Sequence, residues 1–253
     1  MGPGVGVMGH MAMTDQSRAG WIRKAAAVLA LLALAACGGG KEVAPLELQV
    51  LQAGKARFQQ LTGGKPAPLP QLSRAFLDTV DQPYIEATLE RRDQTAYLLI
   101  ADRRRDDLPG EIVTWRTGDN VTLTTRAGVL IATRGLGGNL LSAQVQVADG
   151  RLGPASGGAH VMQIRAHDNK ALGMALACDL EDLGAETIII VERAHATRHL
   201  RQRCERVRQG DEPGQGGVVV NDYWIDSTQG VIWQSRQWAG PEIGYLRLRR
   251  LTK

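Results

Sequence analysis

Aromatic residues are scarce in this chain of 253 residues: phenylalanine, tyrosine and tryptophan together make up 4% of it, and only two residues are phenylalanine. Because few large rings are available to fill a core, the tryptophans are needed for packing. The chain also has no large excess of charge of one sign, since it contains 30 basic and 26 acidic residues. This near balance gives no support for a nucleic-acid partner.

The sequence also lacks the motifs of common enzymes. The glycines that follow Arg134 do not complete the dinucleotide-binding motif G-x-G-x-x-G, because Leu140 occupies the sixth position of that motif. No lysine completes a phosphate-binding loop either. The segment "GPASGG" (153–158) is not the G-x-S-x-G of a nucleophile elbow. Histidines are few, and nothing places a carboxylate pair across a cleft. We therefore predict no catalytic residues, no metal and no cofactor.

No apolar run near the N-terminus is long enough to span a membrane, but one ends in a cysteine. Ala25–Ala36 follows three basic residues and has twelve apolar residues. About 20 residues are needed to span a bilayer, whereas a signal-peptide core needs only about 7–15. The segment Leu34-Ala35-Ala36-Cys37 has the pattern of a bacterial lipobox, in which the cysteine becomes the acylated N-terminus. An ordinary secretory signal with an incidental cysteine is the alternative.

These features predict the organisation of the chain. We expect residues 1–36 to be a signal peptide with a leader extension, and residues 37–45 to be a lipidated tether. Residues 46–253 would then form a β-rich periplasmic domain. Several acyl chains on Cys37 would provide a firm membrane anchor. Gly38 stands where aspartate often directs retention in the inner membrane, so we expect the outer membrane, with the domain on its periplasmic face.

Two further cysteines, Cys178 and Cys204, remain in the predicted domain. In an oxidising compartment such a pair is expected to form a disulfide. Because His195 and His199 lie between them, the four residues also form a candidate zinc-ligand set. Their spacing matches no common zinc module, so we favour the disulfide.

The body of the predicted domain alternates apolar and polar residues, as antiparallel strands do. A helical period is evident only at Leu46–Leu61 and Leu72–Val80. We predict a mainly β protein: a single antiparallel β-sandwich or barrel-like domain with a short N-terminal helix. The predicted strands lie within 83–92, 95–104 and 142–152, and at Ile112–Trp115, Val121–Thr125, Val129–Thr133, Ala159–Arg165, Gly173–Cys178, Glu186–Arg193, Thr197–Arg206, Val218–Trp224, Val231–Trp238 and Tyr245–Leu251.

Tryptophan and arginine are the residues most suited to binding a polymer. Trp224, Trp233 and Trp238 lie close together in the sequence, and indole faces can stack on sugar rings. They are candidate contacts for a glycan or a partner, with core packing as the alternative. Arginines cluster at several places, including Arg247, Arg249 and Arg250, and guanidinium groups suit phosphates and carboxylates.

Two long segments resemble the YjbF/GfcB family of exopolysaccharide and group 4 capsule lipoproteins. The first is "VTWRTGDNVTLTTRAGVLIATRGLGGNLLSA" (113–143), with its T-x-G-L-G-x-x-L element, and the second is residues 221–253. Cys178 and Cys204 stand where that family usually has a cysteine pair. The resemblance extends over roughly residues 44–253. It implies a β-rich outer-membrane lipoprotein encoded with exopolysaccharide secretion components, without established catalytic activity.

The predicted function is therefore a contribution to exopolysaccharide or capsule assembly or export. We expect the protein to act by binding, either to outer-membrane export proteins or to the polymer, and not by catalysis. Two alternatives remain: an enzyme that modifies the polysaccharide, such as a hydrolase, lyase or deacetylase, and a purely structural envelope lipoprotein.

Overall fold

The computed structural model describes residue 2 and residues 72–148, 150–165, 169–207, 217–226 and 228–252. These described residues contain one short helix, α1 (Arg74–Leu77), and a 3₁₀ turn at Glu90–Arg92. The twelve strands are β1 (Tyr84–Leu89), β2 (Gln94–Arg104), β3 (Ile112–Arg116), β4 (Thr122–Arg126), β5 (Val129–Arg134), β6 (Leu140–Gln144), β7 (Gly157–Arg165), β8 (Ala171–Ile190), β9 (Arg193–Arg206), β10 (Val218–Asp226), β11 (Val231–Trp238) and β12 (Tyr245–Arg250).

All twelve strands belong to one antiparallel sheet, in the order β5-β4-β3-β2-β1-β12-β11-β10-β9-β8-β7-β6. Every neighbouring pair except β1–β12 is consecutive in the sequence, so the chain runs as two meanders joined by that pair. The end strands β5 and β6 approach each other, which makes the sheet nearly closed. The predicted mainly β, antiparallel, barrel-like fold is confirmed.

Strand β11 illustrates why the sequence forms this sheet. Its residues alternate between buried and half-buried, and its observed bounds, Val231–Trp238, are those predicted. In a strand, successive side chains point to opposite faces, so from Gln234 to Trp238 this period of two separates an outer face from an inner one. The same period separates Leu246 and Leu248 of β12, which are buried, from the outward Arg247 and Arg249.

Two predicted strands, Gly173–Cys178 and Glu186–Arg193, proved to be one. They form the single 20-residue β8, and the chain turns only at Val191 and Glu192, so Arg193 begins β9. The polar stretch between them forms no turn. It continues the pairing with β9 through a bulge at Asp182/Gly184, where Gly184 has a φ of +96°. Glycine adopts such a conformation readily, so the bulge bends the strand without ending it.

The N-terminal helix is shorter than its predicted range. Of Leu72–Val80, only Arg74–Leu77 is helical, and Ser73 caps it by accepting a hydrogen bond from the backbone N–H of Phe76. The predicted helix at Leu46–Leu61 lies outside the described residues. Within the ranges given above, no helix has the length and apolar character needed to cross a bilayer.

The inner face of the sheet holds the main core and a buried polar network around Gln237. The core contains Leu98, Leu123 and Leu246, each 2% exposed or less. Gln237 lies among these strands, and its Oε1 accepts hydrogen bonds from the Leu130 N–H at 2.8 Å and the Tyr223 hydroxyl at 3.1 Å. Full burial raises the pKa of Tyr223 well above its usual range, so the hydroxyl remains a donor.

Candidate functional site on the outer face of the sheet

The three candidate tryptophans have different surroundings. Trp233 is 3% exposed and belongs to a second core cluster with Leu77 of α1 and Ile190 of β8. Trp224 and Trp238 are half-buried. Trp233 therefore fills a core, which was the alternative prediction. Trp238 packs against the main core while keeping, like Trp224, partial access to solvent.

The register of β10 and β11 separates Trp224 from Trp233. Trp224 lies directly opposite Gln234, and a bulge then shifts the pairing so that Ile225 lies opposite Ile232. Because of this bulge, Trp233 has no directly paired residue on β10. Each indole instead packs on a histidine of β9: the rings of Trp233 and His195 have centroids 3.7 Å apart, and those of Trp224 and His199 are 4.4 Å apart.

The imidazole of His199 is held from both sides. Its Nδ1 lies 2.8 Å from a carboxylate oxygen of Glu186, and its Nε2 lies 2.9 Å from Oδ1 of Asp222. The same oxygen of Asp222 accepts a hydrogen bond from Nε of Arg201 at 2.9 Å. Because these contacts fix the imidazole, they also fix the indole of Trp224 that stacks on it. A side chain that is already held in its bound orientation loses little conformational entropy when a ligand binds.

Arginines extend this surface across β11, β12 and β1. Arg236 lies opposite Arg247, and Arg249 lies opposite Glu86. Arg249 forms a two-pronged ion pair with Glu86, with N–O distances of 2.8 and 2.9 Å. Arg236 binds Glu90 at 2.8 Å. These carboxylates neutralise two of the outward guanidinium groups.

Arg247 differs from its neighbours because it has no carboxylate within ion-pair distance in the part of the chain that the structure describes. It is half-buried, and its Nε is buried without a hydrogen-bond partner among these residues. Burial of an unpaired cation is costly, so an added anion at this position would be favourable. Among the arginines of β11 and β12 on this face, Arg247 thus carries a positive charge that no carboxylate of the described residues compensates.

Aromatic rings border this charge on β11 and β12. Trp238 lies opposite Tyr245, and Tyr245 is two residues from Arg247 along β12. The guanidinium carbon of Arg236 lies 3.6 Å above the ring centroid of Tyr245, which is a cation–π contact. Trp224, Trp238, Tyr245, Arg236 and Arg247 together define what we call the outer binding face.

Cys178 and Cys204 form the disulfide favoured from the sequence. They lie directly opposite each other on β8 and β9, with their Cα atoms 4.0 Å apart and both side chains buried. The candidate zinc set is not assembled, because His195 and His199 stack on tryptophans on the outer face. A different histidine lies beside the sulfurs: His160 of β7 has a ring nitrogen within 4.8 Å of both.

His160 was not identified from the sequence as a neighbour of the cysteines. Its Nε2 is buried and has no hydrogen-bond partner in the described ranges. Burial lowers the pKa of His160 to about 4, because a charged imidazolium would lose its hydration there. With both sulfurs bonded to each other, the cluster has no thiolate to offer a metal ion. The lipobox residue Cys37 lies outside the described residues.

Comparison with known proteins agrees with this architecture. No curated protein matches the chain. A solved structure, described as the hypothetical lipoprotein YmcC from Escherichia coli K12, has a similar fold, with a TM-score of 0.59 and 19% identity over 78% of this chain and 93% of that one. The family model described as group 4 capsule polysaccharide lipoprotein GfcB, YjbF matches residues 54–251. The chain therefore belongs to the YjbF/GfcB family of capsule polysaccharide lipoproteins.

Proposed function

We propose that this protein is an outer-membrane lipoprotein, facing the periplasm, that contributes to capsule or exopolysaccharide assembly or export by binding an acidic polymer without turning it over. Family membership supports the capsule-related part of this proposal. The observation that supports the binding part is Arg247, a half-buried guanidinium without a carboxylate in the described part of the chain, beside Trp238 and Tyr245.

The chemistry of the outer binding face suits an acidic polysaccharide. Guanidinium groups bind carboxylates through paired hydrogen bonds, and aromatic faces pack against the C–H surfaces of sugar rings. Trp224 is held in place by the His199–Glu186–Asp222 contacts before any ligand arrives. A polymer of acidic sugars would present both carboxylates and apolar ring faces to the outer binding face. Docking of an export protein through the same face is the competing outcome.

Arg247→Gln is expected to weaken binding of the full-length lipoprotein to polyuronate chains by about tenfold, because it removes the unpaired cation. The measurement is isothermal titration calorimetry with alginate oligomers as the probe. Arg116→Gln is the matched control, since Arg116 is an exposed arginine at the end of β3. Equal affinities for the wild type and Arg247→Gln would refute the polymer site, and shortening of the oligomers during the titration would indicate an enzyme.

Membrane attachment has a separate test. We propose that residues 1–36 are removed, that Cys37 is acylated within the tether 37–45, and that 46–253 is the periplasmic domain. In cells, Cys37→Ser is expected to abolish processing at this position and labelling by tritiated palmitate, because serine has no thiol to form the thioether. Ser17→Ala, upstream of the apolar run, is the control. Labelled, processed protein in the Cys37→Ser strain would exclude the anchor.

A further inference from the structure

The inner face of the sheet contains a cavity of about 440 Å³. Volumes of about 300–1,000 Å³ are typical of small-molecule sites. Its walls include the aliphatic side chains of Ile85, Val113 and Leu248 and the indole of Trp115. The β4–β5 and β10–β11 turns border it at Gly128 and Gly230, so the cavity lies at the end of the sheet where these turns meet.

Two arginines line this cavity. Arg250 has the same position in the alternation of β12 as Leu246 and Leu248, so its side chain projects inward, away from Arg247 and Arg249. Arg103 of β2 also lines the cavity, opposite the inward Val113. Its nearest carboxylate is that of Glu111, at 3.3 Å.

The charges in the cavity do not balance. Arg250 donates from Nε to the backbone carbonyl of Thr252 at 2.9 Å, but it makes no ion pair among the residues that the structure describes. Burial and the nearby positive charge of Arg103 both lower the pKa of Arg250. The partly dehydrated site therefore holds two guanidinium groups but one carboxylate, that of Glu111, which pairs with Arg103. An anion between them would relieve this repulsion.

We propose that this cavity binds a small amphipathic carboxylate, such as a medium-chain fatty acid, with its carboxylate at Arg103 and Arg250 and its aliphatic body against Ile85, Val113 and Leu248. The aliphatic walls distinguish this ligand from an acidic sugar. A sugar ring would bury several hydroxyl groups, and each needs a hydrogen-bond partner. Apart from the charged groups, the hydroxyls of Thr125 and Ser235 are among the few polar side chains in the lining.

Calorimetry with octanoate tests the proposal. The full-length lipoprotein in nanodiscs is titrated with octanoate, and empty nanodiscs give the background. Arg250→Gln is expected to weaken octanoate binding at least tenfold, because it removes the cation that lacks an ion-pair partner. Octan-1-ol, which has the same chain without the charge, is expected to bind at least tenfold more weakly than octanoate. Arg116→Gln is the matched control and should bind as the wild type does.

Arg103→Gln keeps the test decisive if Arg250→Gln does not fold, since Arg103 lies nearer the surface, with 45% of its side chain exposed. It should also weaken octanoate binding. The proposal is overturned if the wild type does not bind octanoate, if octan-1-ol binds equally well, or if Arg250→Gln and Arg103→Gln bind octanoate as tightly as the wild type does. None of these outcomes depends on the outer binding face, because Arg247 is unchanged in every variant.

Discussion

Replacing Cys178 and Cys204 together by alanine is expected to lower the free energy of unfolding by about 3–4 kcal/mol. The disulfide joins residues 26 positions apart and so closes a loop in the unfolded chain. Without it, the unfolded state gains conformational entropy. The bond joins β8 to β9, the two longest strands, close to the core residue Leu176. Urea denaturation of the oxidised wild type and of the double variant, followed by circular dichroism, measures the difference.

Reduction provides a control within the same protein. A reductant present throughout unfolding and refolding should destabilise the wild type by a similar amount and leave the double variant unchanged. This comparison separates the effect of the crosslink from the effect of altered side-chain volume, which alanine also introduces. A loss below about 1 kcal/mol in the oxidised comparison would contradict the entropic role of the bond.

The second large effect is a loss of stability in mild acid that depends on His160. Burial lowers the pKa of this histidine to about 4 in the folded protein, whereas about 6.5 is usual in an unfolded chain. Between these values the unfolded state binds the proton more readily, so folding stability falls as the pH falls from about 6.5 to about 4. Each pKa unit corresponds to about 1.4 kcal/mol, so the loss amounts to about 3 kcal/mol at pH 4.

The pH profile of His160→Gln isolates this contribution. Urea denaturation of the wild type and the variant at several pH values between 7.5 and 4 gives two curves of unfolding free energy. Titrating groups common to both proteins cancel in the difference, which is expected to change by about 3 kcal/mol across this range. His160→Phe should flatten the curve in the same way, because neither replacement titrates. Parallel curves would show that His160 does not gain a proton on unfolding in this range.

Much of the fold follows from local sequence patterns. Alternating apolar and polar residues with intervening turn residues indicated antiparallel strands, and the bounds of β11 followed from them. The error at β8 has a local cause. A polar stretch containing Gly184 resembles a turn in sequence, yet the neighbouring strand β9 pairs along its whole length. Strand pairing decides between a turn and a bulge, and a single-sequence pattern does not include the partner.

The site residues were identified less completely. All three tryptophans were candidates: Trp224 and Trp238 are half-buried, Trp238 against the main core, whereas Trp233 is buried in a second core cluster. Sequence analysis missed the partners that give these rings their setting: Glu186 and Asp222 on His199. These partners lie on different strands and meet only through the pairing of β8, β9 and β10.

By itself, the sequence determined the family, the antiparallel character of the fold and the cysteine pair, because each depends on residue types and short-range periodicity. Tertiary structure alone decided that Arg250 faces a cavity while Arg247 and Arg249 face outward, and that His160 lies beside the disulfide. The physical reason is register. A shift of one residue moves every side chain of a strand to the opposite face, and contacts between distant strands set that register. The pairing of β1, the first strand in the chain, with β12, the last, is the clearest example of such a contact.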